Sequence, residues 1–335
     1  PGKTAPHIGN HIDDRPTVLP HPAEVCLSAD LEGSRQVRRH HRIPAPRADE
    51  CRRRWKLSAR IVEEDRQSEM TVVRNEFERG ENSPQRVLDQ HIWSMAFQAH
   101  PYHHSTIGWK SDIENMPIEK LKEFYDVYYW PNNATVSIVG DVETKEGLAL
   151  VKKYFGKIRR SKHEIPAVYT TEPEQEGQRR VMLNRAGQQG VVGLAFKSPP
   201  VTDKDMAPMI VLGQILGSGK NSRFYKQITD KGLVTSISAS PSKFKYEGLF
   251  EIYASLTPGT EHEKVEKLIV EELEKVKNSG VKEKELKKAA ARASARLQFT
   301  NEDLADQSAE LQVIATDPRR STSGMCEDRN NIRSG

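Results

Sequence analysis

The stretch LVTSISASPSKFKYEGLFEIYASLT, residues 233–257, contains two runs rich in β-branched and aromatic residues, separated by Pro241 and a polar segment that ends at Gly248. Runs of this composition, bounded by proline and glycine, are typical of β-strands. The stretch therefore predicts two neighbouring strands. Two helical patterns follow it, HEKVEKLIVEELEKVKNSG at 262–280 and a longer one that starts at Lys282.

The residues immediately before this stretch extend the same pattern. RRVMLNRA (179–186) and GVVGLAFKS (190–198) have strand composition, whereas DKDMAPMIVLGQILG (203–217) and NSRFYKQITDKG (221–232) have helical composition. Strands and helices grouped around a mainly antiparallel sheet predict the α+β class, built as two-layer α/β sandwich domains in which helices pack on the sheets.

Residues 62–158 form an earlier unit with its own regular pattern. Ser83 followed by Pro84 is a typical helix start, because serine caps the first turn and proline fits its first position. Trp130-Pro131 is expected to end a helix. The predicted elements are helices at 62–80, from Ser83-Pro84 onward, at 117–129 and at 143–158, with one strand at 134–142.

The two ends differ from the centre. Residues 1–55 contain nine Arg against one Lys, together with seven of the nineteen Pro, and show no sustained period. We expect that segment and the tail 317–335 to be irregular, either as disordered extensions or as products of a shifted reading frame or an assembly error. The expected organisation is 1–55 irregular, 56–160 the C-terminal part of a first domain, 161–178 a linker, 179–316 a second, truncated domain, and 317–335 an atypical tail.

Composition excludes several classes of function. A net charge of +4 on 29% charged residues gives no concentrated positive field, so no nucleic-acid partner is expected. An Arg-rich arm at 38–54 keeps nucleic-acid association open as a weaker alternative. There is no apolar run of 18 residues and no signal-peptide pattern, so the sequence predicts a soluble chain without a membrane span. Cys26, Cys51 and Cys326 have no spacing that suits a disulfide framework or zinc.

Five segments occur in the order found in one known family. SEMTVVRNEFERGENSP (68–84) and HPYHHSTIGW (100–109) are followed by FYDVYYWPNNATVSIVGD (124–141), KKYFGKI (152–158) and LGSGKNSRFYKQITDKGLV (216–234). Together they resemble the pitrilysin/insulinase family of zinc metallopeptidases, and the resemblance covers about residues 56–316. It implies insulinase-like domains, zinc as cofactor, and peptide substrates or a second peptidase-like half as partners.

The resemblance also implies roles for two glutamates. In the family an H-x-x-E-H motif supplies two zinc ligands and a general base, and a later helix supplies a third ligand. That ligand corresponds to Glu76, and Glu69 corresponds to an acidic residue that supports the site. Seven residues are close to two helical turns, so both carboxylates are expected to project from one helix face.

The sequence departs from the family at its main motif. No H-x-x-E-H occurs in the 335 residues, and the nearest candidate is HIGNH, His7–His11, with Asn10 in place of the base. Asparagine does not accept a proton from a metal-bound water, so hydrolysis would lack its general base. Three functions stay open: a zinc endopeptidase, inactive alone; a non-catalytic subunit or remnant that contributes a chamber wall or partner interface; and nucleic-acid association.

Two further segments have alternative interpretations. His100, His103 and His104 with Tyr102 form a dense cluster, for which packing or capping is favoured over metal binding. GSGKNSR (217–223) does not satisfy the phosphate-loop pattern. Instead, the resemblance gives Arg223 and Tyr225 as candidates for contact with a peptide substrate.

Overall fold

A computed structural model describes residues 23–26, 61–187 and 189–300; for 23–26 and 296–300 it describes the backbone. No helix among these residues is long and apolar enough to cross a membrane. The elements are β1 (Ala23–Cys26), α1 (Glu63–Glu81), α2 (Pro84–Ala96), α3 (Lys110–Asn115), α4 (Ile118–Tyr128), β2 (Ala134–Ser137), α5 (Thr144–Phe155), β3 (Val191–Ser198), α6 (Met206–Gly217), β4 (Val234–Pro241), β5 (Gly248–Leu256), α7 (His262–Ser279) and α8 (Glu283–Thr300).

The helices of the first unit begin as their sequences predict. Three acidic residues, Glu63, Glu64 and Asp65, occupy the first turn of α1, where their negative charges interact favourably with the positive end of the helix dipole. At the start of α2 the Ser83 hydroxyl accepts a hydrogen bond from the backbone N–H of Arg86, and a proline occupies the first turn. The predicted capping of α2 is therefore confirmed.

A small parallel sheet lies in the first unit. Strand β1 pairs with β2, with Ala23 opposite Ala134 and Cys26 opposite Ser137. Residues 1–55 were expected to be irregular, and β1 is an exception within them. Four residues are too few to show a period in the sequence, and the strand depends on β2, more than 100 residues away, for its hydrogen bonds.

The second unit is organised by an antiparallel sheet with the strand order β3-β5-β4. Val191 lies opposite Ser255, and Ile237 lies opposite Ala254. Alternate residues of the strands face α6 and α7, as the two-residue period of a strand requires. The core on this face consists of Val192, Leu216, Phe224, Ile228, Val234, Phe250, Ile252, Ala254, Leu256, Val265 and Ile269.

Helix α6 lies directly against the backbone of β4. A Cβ atom at Gly213 would be 2.7 Å from the carbonyl oxygen of Ala239, and one at Gly217 would be 2.6 Å from its backbone nitrogen. Only glycine permits so close an approach between a helix and a strand backbone. Gly217, the first glycine of the segment GSGKNSR that was compared with a phosphate loop, therefore has a packing function here.

The opposite face of the sheet is covered by α2. A Cβ atom at Gly193 of β3 would lie 2.7 Å from Ile92 Cδ1, so the helix rests on the strand. The Trp93 indole donates a hydrogen bond of 2.9 Å to Glu251, and the Tyr253 hydroxyl donates one of 2.6 Å to Asp89. The α+β class is confirmed. The two layers expected are the sheet and the helices α6 and α7 on one face, and α2 of the first unit adds a third layer on the other face.

The structure differs from the sequence predictions at three places. Residues 179–186 have the composition of a strand, but no strand pairs with them in the described part of the chain, and a strand exists only through its hydrogen-bonded neighbour. The helix predicted at 221–232 is present but shorter, with residues 223–224 α-helical and Tyr225–Thr229 π-helical. The loop after His100 contains a short helix, α3, that was not predicted.

Candidate functional site

Glu69 and Glu76 lie on one face of α1, as their spacing predicts. Both side chains are exposed, and Val72 between them is 60% exposed. Helix α1 has no buried residue. The three side chains at positions 69, 72 and 76 therefore form an open strip of two carboxylates around an apolar residue, which we call the α1 face.

A zinc site cannot be assembled around this face from the described residues. Within residues 61–187 and 189–300, no group of three or more His, Cys, Asp or Glu side chains could hold a metal ion. His7 and His11 lie outside the described residues. A catalytic zinc takes three protein ligands, so the two carboxylates of Glu69 and Glu76 do not form a complete zinc site.

The histidine cluster caps and packs a turn. His100 is 6% exposed, and its Nδ1 accepts a 3.2 Å hydrogen bond from the backbone N–H of Tyr102. Its ring lies 4.4 Å from that of Tyr102 and 5.2 Å from that of Tyr246, measured between centroids. Burial lowers the pKa of His100, which favours the neutral imidazole that this cap requires. The predicted capping role is confirmed.

The role of Glu172 was not predicted from any pattern around it. Its carboxylate accepts three backbone hydrogen bonds of 2.6–2.9 Å, from Gln98, Ala99 and His100 directly after α2. Burial acts to raise the pKa of Glu172, but these N–H groups hold it below its usual range. The stretch 161–178, expected to be a linker, is therefore attached to the end of α2.

Arg223 is held by an ion-pair cluster between helices. Its guanidinium lies 3.3 Å from Glu272 of α7 and 3.0 Å from Glu285 of α8, and it donates to the carbonyl oxygen of Gly280. The side chain is 14% exposed. Tyr225 is half-buried, and its backbone N–H donates to Ser222 Oγ. These contacts give Arg223 a structural role, and contact with substrate stays a prediction for both residues.

The Arg223→Met substitution tests this structural role. We expect the free energy of unfolding to fall by about 2 kcal/mol, because Glu272, 5% exposed, keeps only Lys275 as an ion-pair partner among the described residues. Urea denaturation measures the loss, and Lys226→Met at an exposed position is the matched control. Unchanged stability in Arg223→Met would show that the ion pairs of Arg223 do not stabilise the fold.

Comparison with known proteins decides the family. The sequence model described as "Peptidase M16 inactive domain" matches residues 115–292, more than half of the chain. The chain belongs to the M16 peptidase family. The resemblance to insulinase-type metallopeptidases is thereby confirmed. The match begins within α3, so Glu69 and Glu76 lie before it.

Individual M16 relatives agree with this assignment. The chain is 33% identical over 235 residues to "Zinc protease PqqE" of Helicobacter pylori, an alignment that covers 69% of this chain and 53% of the relative. A crystal structure of a protease from Helicobacter pylori matches with a TM-score of 0.71 and 31% identity, covering 74% of this chain and 61% of that one. The M16 inactive domain from Pseudomonas fluorescens has the same fold, with a TM-score of 0.59, 21% identity, and coverage of 70% and 56%.

The length of this M16 chain and its zinc ligands can be compared with those of its relatives. It spans about half the length of the curated relatives it matches. Those relatives are named zinc proteases, so zinc is a property of the family. The described residues of this chain, however, provide no complete set of zinc ligands.

Proposed function

We propose that this chain is a non-catalytic M16 unit that contributes a wall of a peptide chamber and an interface to a second peptidase-like half. The observation that supports this most is the open α1 face in a chain without an H-x-x-E-H sequence. The position that the resemblance assigns to a zinc ligand is exposed, and this sequence supplies no H-x-x-E-H helix beside it.

The composition of the α1 face suits a helix from another polypeptide. Val72 is an apolar residue 60% exposed between two carboxylates, and covering it would remove apolar surface from water. Carboxylates on both sides would favour a partner helix with basic or metal-binding side chains. An M16 half that carries its own H-x-x-E-H has this chemistry.

The alternative is that the chain hydrolyses peptides by itself, as the names of its relatives suggest for their full-length proteins. That function needs a general base and two histidine ligands, which HIGNH at 7–11 does not provide in full. Nucleic-acid association through the Arg-rich arm at 38–54 is a weaker alternative, and it would appear as strongly salt-dependent DNA binding.

Hydrolysis of a fluorogenic peptide library separates the first two functions. With added zinc, we expect the purified full chain to give no turnover that a chelator removes. Glu76→Gln is expected to behave as the wild type in this assay. Chelator-sensitive turnover that disappears in Glu76→Gln but persists in Glu78→Gln, an exposed position on the same helix, would overturn the proposal.

A further inference from the structure

The contact between the two units contains a pair of acidic side chains. Asp89 lies on α2 of the first unit, and Glu251 lies on β5 in the sheet of the second unit. The Tyr253 hydroxyl donates a hydrogen bond of 2.6 Å to Asp89 and lies 3.3 Å from a carboxyl oxygen of Glu251. Because both carboxyl groups lie beside this one hydroxyl, they are direct neighbours across the contact.

The pair has few hydrogen-bond donors for two ionised carboxylates. Tyr253 has one hydroxyl proton, which its short bond to Asp89 uses, and the Trp93 indole donates its only proton to Glu251 at 2.9 Å. Two carboxylates side by side repel each other, whereas a single proton between them permits a hydrogen bond from one to the other. Burial, then the negative charge of Asp89 and a hydrogen bond with it, raise the pKa of Glu251 to about 8.

The groups that surround the pair do not offset its charge. Burial, and then the charge of Asp89, raise the pKa of Tyr253, so its hydroxyl stays neutral. The residues paired with Glu251 and Tyr253 on the neighbouring strands carry no charge: Ala195 and Gly193 on β3, and Ser240 and Ser238 on β4. Further along the same face of β3, Lys197 lies over the ring of Phe97. Other charged or titratable side chains of α2 and of the loop between β4 and β5 are exposed, namely Arg86, His91, Lys243, Lys245 and Glu247.

The C-terminal end of α2 is attached independently of this pair. Glu172 accepts three backbone hydrogen bonds from the residues directly after the helix, and Arg179 donates to the carbonyl oxygen of Met95 in its last turn. Among the described residues, the hydrogen bonds between α2 and the sheet are those to Glu251 and from Tyr253. Loss of a proton from the pair therefore acts on the middle of α2, while its C-terminal end stays held.

We propose that Asp89 and Glu251 form a proton-dependent latch between the two units, which holds α2 on the sheet with one shared proton and releases it without that proton. The release is local, because both units keep their own cores and the C-terminal end of α2 keeps its bonds to Glu172 and Arg179. The carboxyl–carboxylate hydrogen bond needs the proton, and its loss leaves two negative charges at one partly buried contact. The latch is closed below about pH 8 and opens as the pH rises through that value.

Hydrogen–deuterium exchange of the full chain at pH 6.5 and pH 9 tests the latch. Mass spectrometry gives protection factors, corrected for the intrinsic effect of pH on exchange, for α2 and for α6 on the opposite face of the sheet. We expect the protection of α2 to fall at least tenfold between these two pH values. The closed form keeps its proton up to about pH 8, whereas a released Glu251 loses it near pH 4.5. Helix α6 is expected to keep its protection.

The Glu251→Gln variant is expected to keep the same α2 protection at both pH values. Glutamine does not titrate, and its amide can donate to Asp89 and accept from Trp93. Glu247→Gln, at an exposed position, is the matched control and should lose α2 protection as the wild type does. If Glu251→Gln does not fold, Asp89→Asn replaces it, and a smaller fall than in the wild type is expected because only one charge remains.

Three results would overturn the latch. The first is α2 protection in the wild type that does not change with pH. The second is an equal fall in α2 and α6, which would mean that the whole chain unfolds rather than that α2 is released. The third is a fall in Glu251→Gln, or in Asp89→Asn where that variant replaces it, as large as in the wild type, because another group would then control the contact.

Discussion

Replacing Gly213 by valine is expected to lower the free energy of unfolding by at least about 3 kcal/mol. The first atom of the new side chain would lie 2.7 Å from the carbonyl oxygen of Ala239 and 3.4 Å from Ser240 Cα. Both are backbone atoms of a paired strand, which do not move aside as a flexible side chain would. Overpacking of this kind typically costs about 1–3 kcal/mol, and more where the neighbour is rigid.

Urea denaturation followed by circular dichroism measures this loss. Gly177→Val is the matched control, because a Cβ atom at Gly177 meets nothing within 4 Å. Gly213→Ala is expected to lose less, because alanine is the smaller side chain and has a higher helix propensity than glycine. A Gly213→Val protein as stable as Gly177→Val would mean that α6 does not rest on β4.

A second large effect is expected in the pH dependence of stability. Glu251 is partly buried between the sheet and α2, near Asp89, and the Trp93 indole and the Tyr253 hydroxyl lie within hydrogen-bonding distance of its carboxyl group. Burial first, and then the nearby negative charge of Asp89, raise the pKa of Glu251 to about 8. The folded protein therefore keeps this proton up to about pH 8, whereas the unfolded chain releases it near pH 4.5.

The sign of the effect follows from proton binding. Between these two values the folded state binds more protons than the unfolded state, so stability decreases as pH rises. This contribution is fully present below about pH 4.5, is lost progressively on the way to pH 8, and is constant above that pH. We expect a total change on the order of 3 kcal/mol.

The Glu251→Gln variant isolates this contribution. Glutamine is nearly isosteric and can accept the hydrogen bond from Trp93, but it does not titrate. Free energies of unfolding at pH 5, 6.5 and 8 are expected to fall less steeply with pH in Glu251→Gln than in the wild type. Glu247→Gln, at an exposed position four residues earlier, is the control and should keep the wild-type slope. Equal slopes in all three proteins would contradict the assignment to Glu251.

Local sequence pattern predicted those parts of the fold whose cause is local. β4 and β5 follow from their β-branched and aromatic composition, and α2 follows from its serine cap and proline. The shared face of Glu69 and Glu76 follows from helical geometry alone. The family resemblance rested on five sequence segments that occur in the family's order, and the family match confirms it.

Features that depend on distant contacts could not be predicted in the same way. Residues 179–186 have strand composition, yet pairing depends on a neighbour that the described chain does not provide. From sequence alone, acidic residues such as Asp89 and Glu251 are expected at the surface. Only the packing of α2 on the sheet brings these two together. The family resemblance gave Arg223 as a candidate for contact with a substrate. Its ion pairs with α7 and α8 could not be predicted, because their partners lie about 50 and 60 residues further along the chain.

The zinc content of the purified full chain shows directly whether this chain holds a zinc site of its own. The chain is equilibrated with one equivalent of zinc, freed of unbound metal by gel filtration and measured by plasma mass spectrometry beside Glu76→Gln. We expect far less than one zinc per chain, with no difference between the wild type and Glu76→Gln. One tightly held zinc per chain that is lost in Glu76→Gln would contradict this expectation, because the chain would then hold a zinc site of its own.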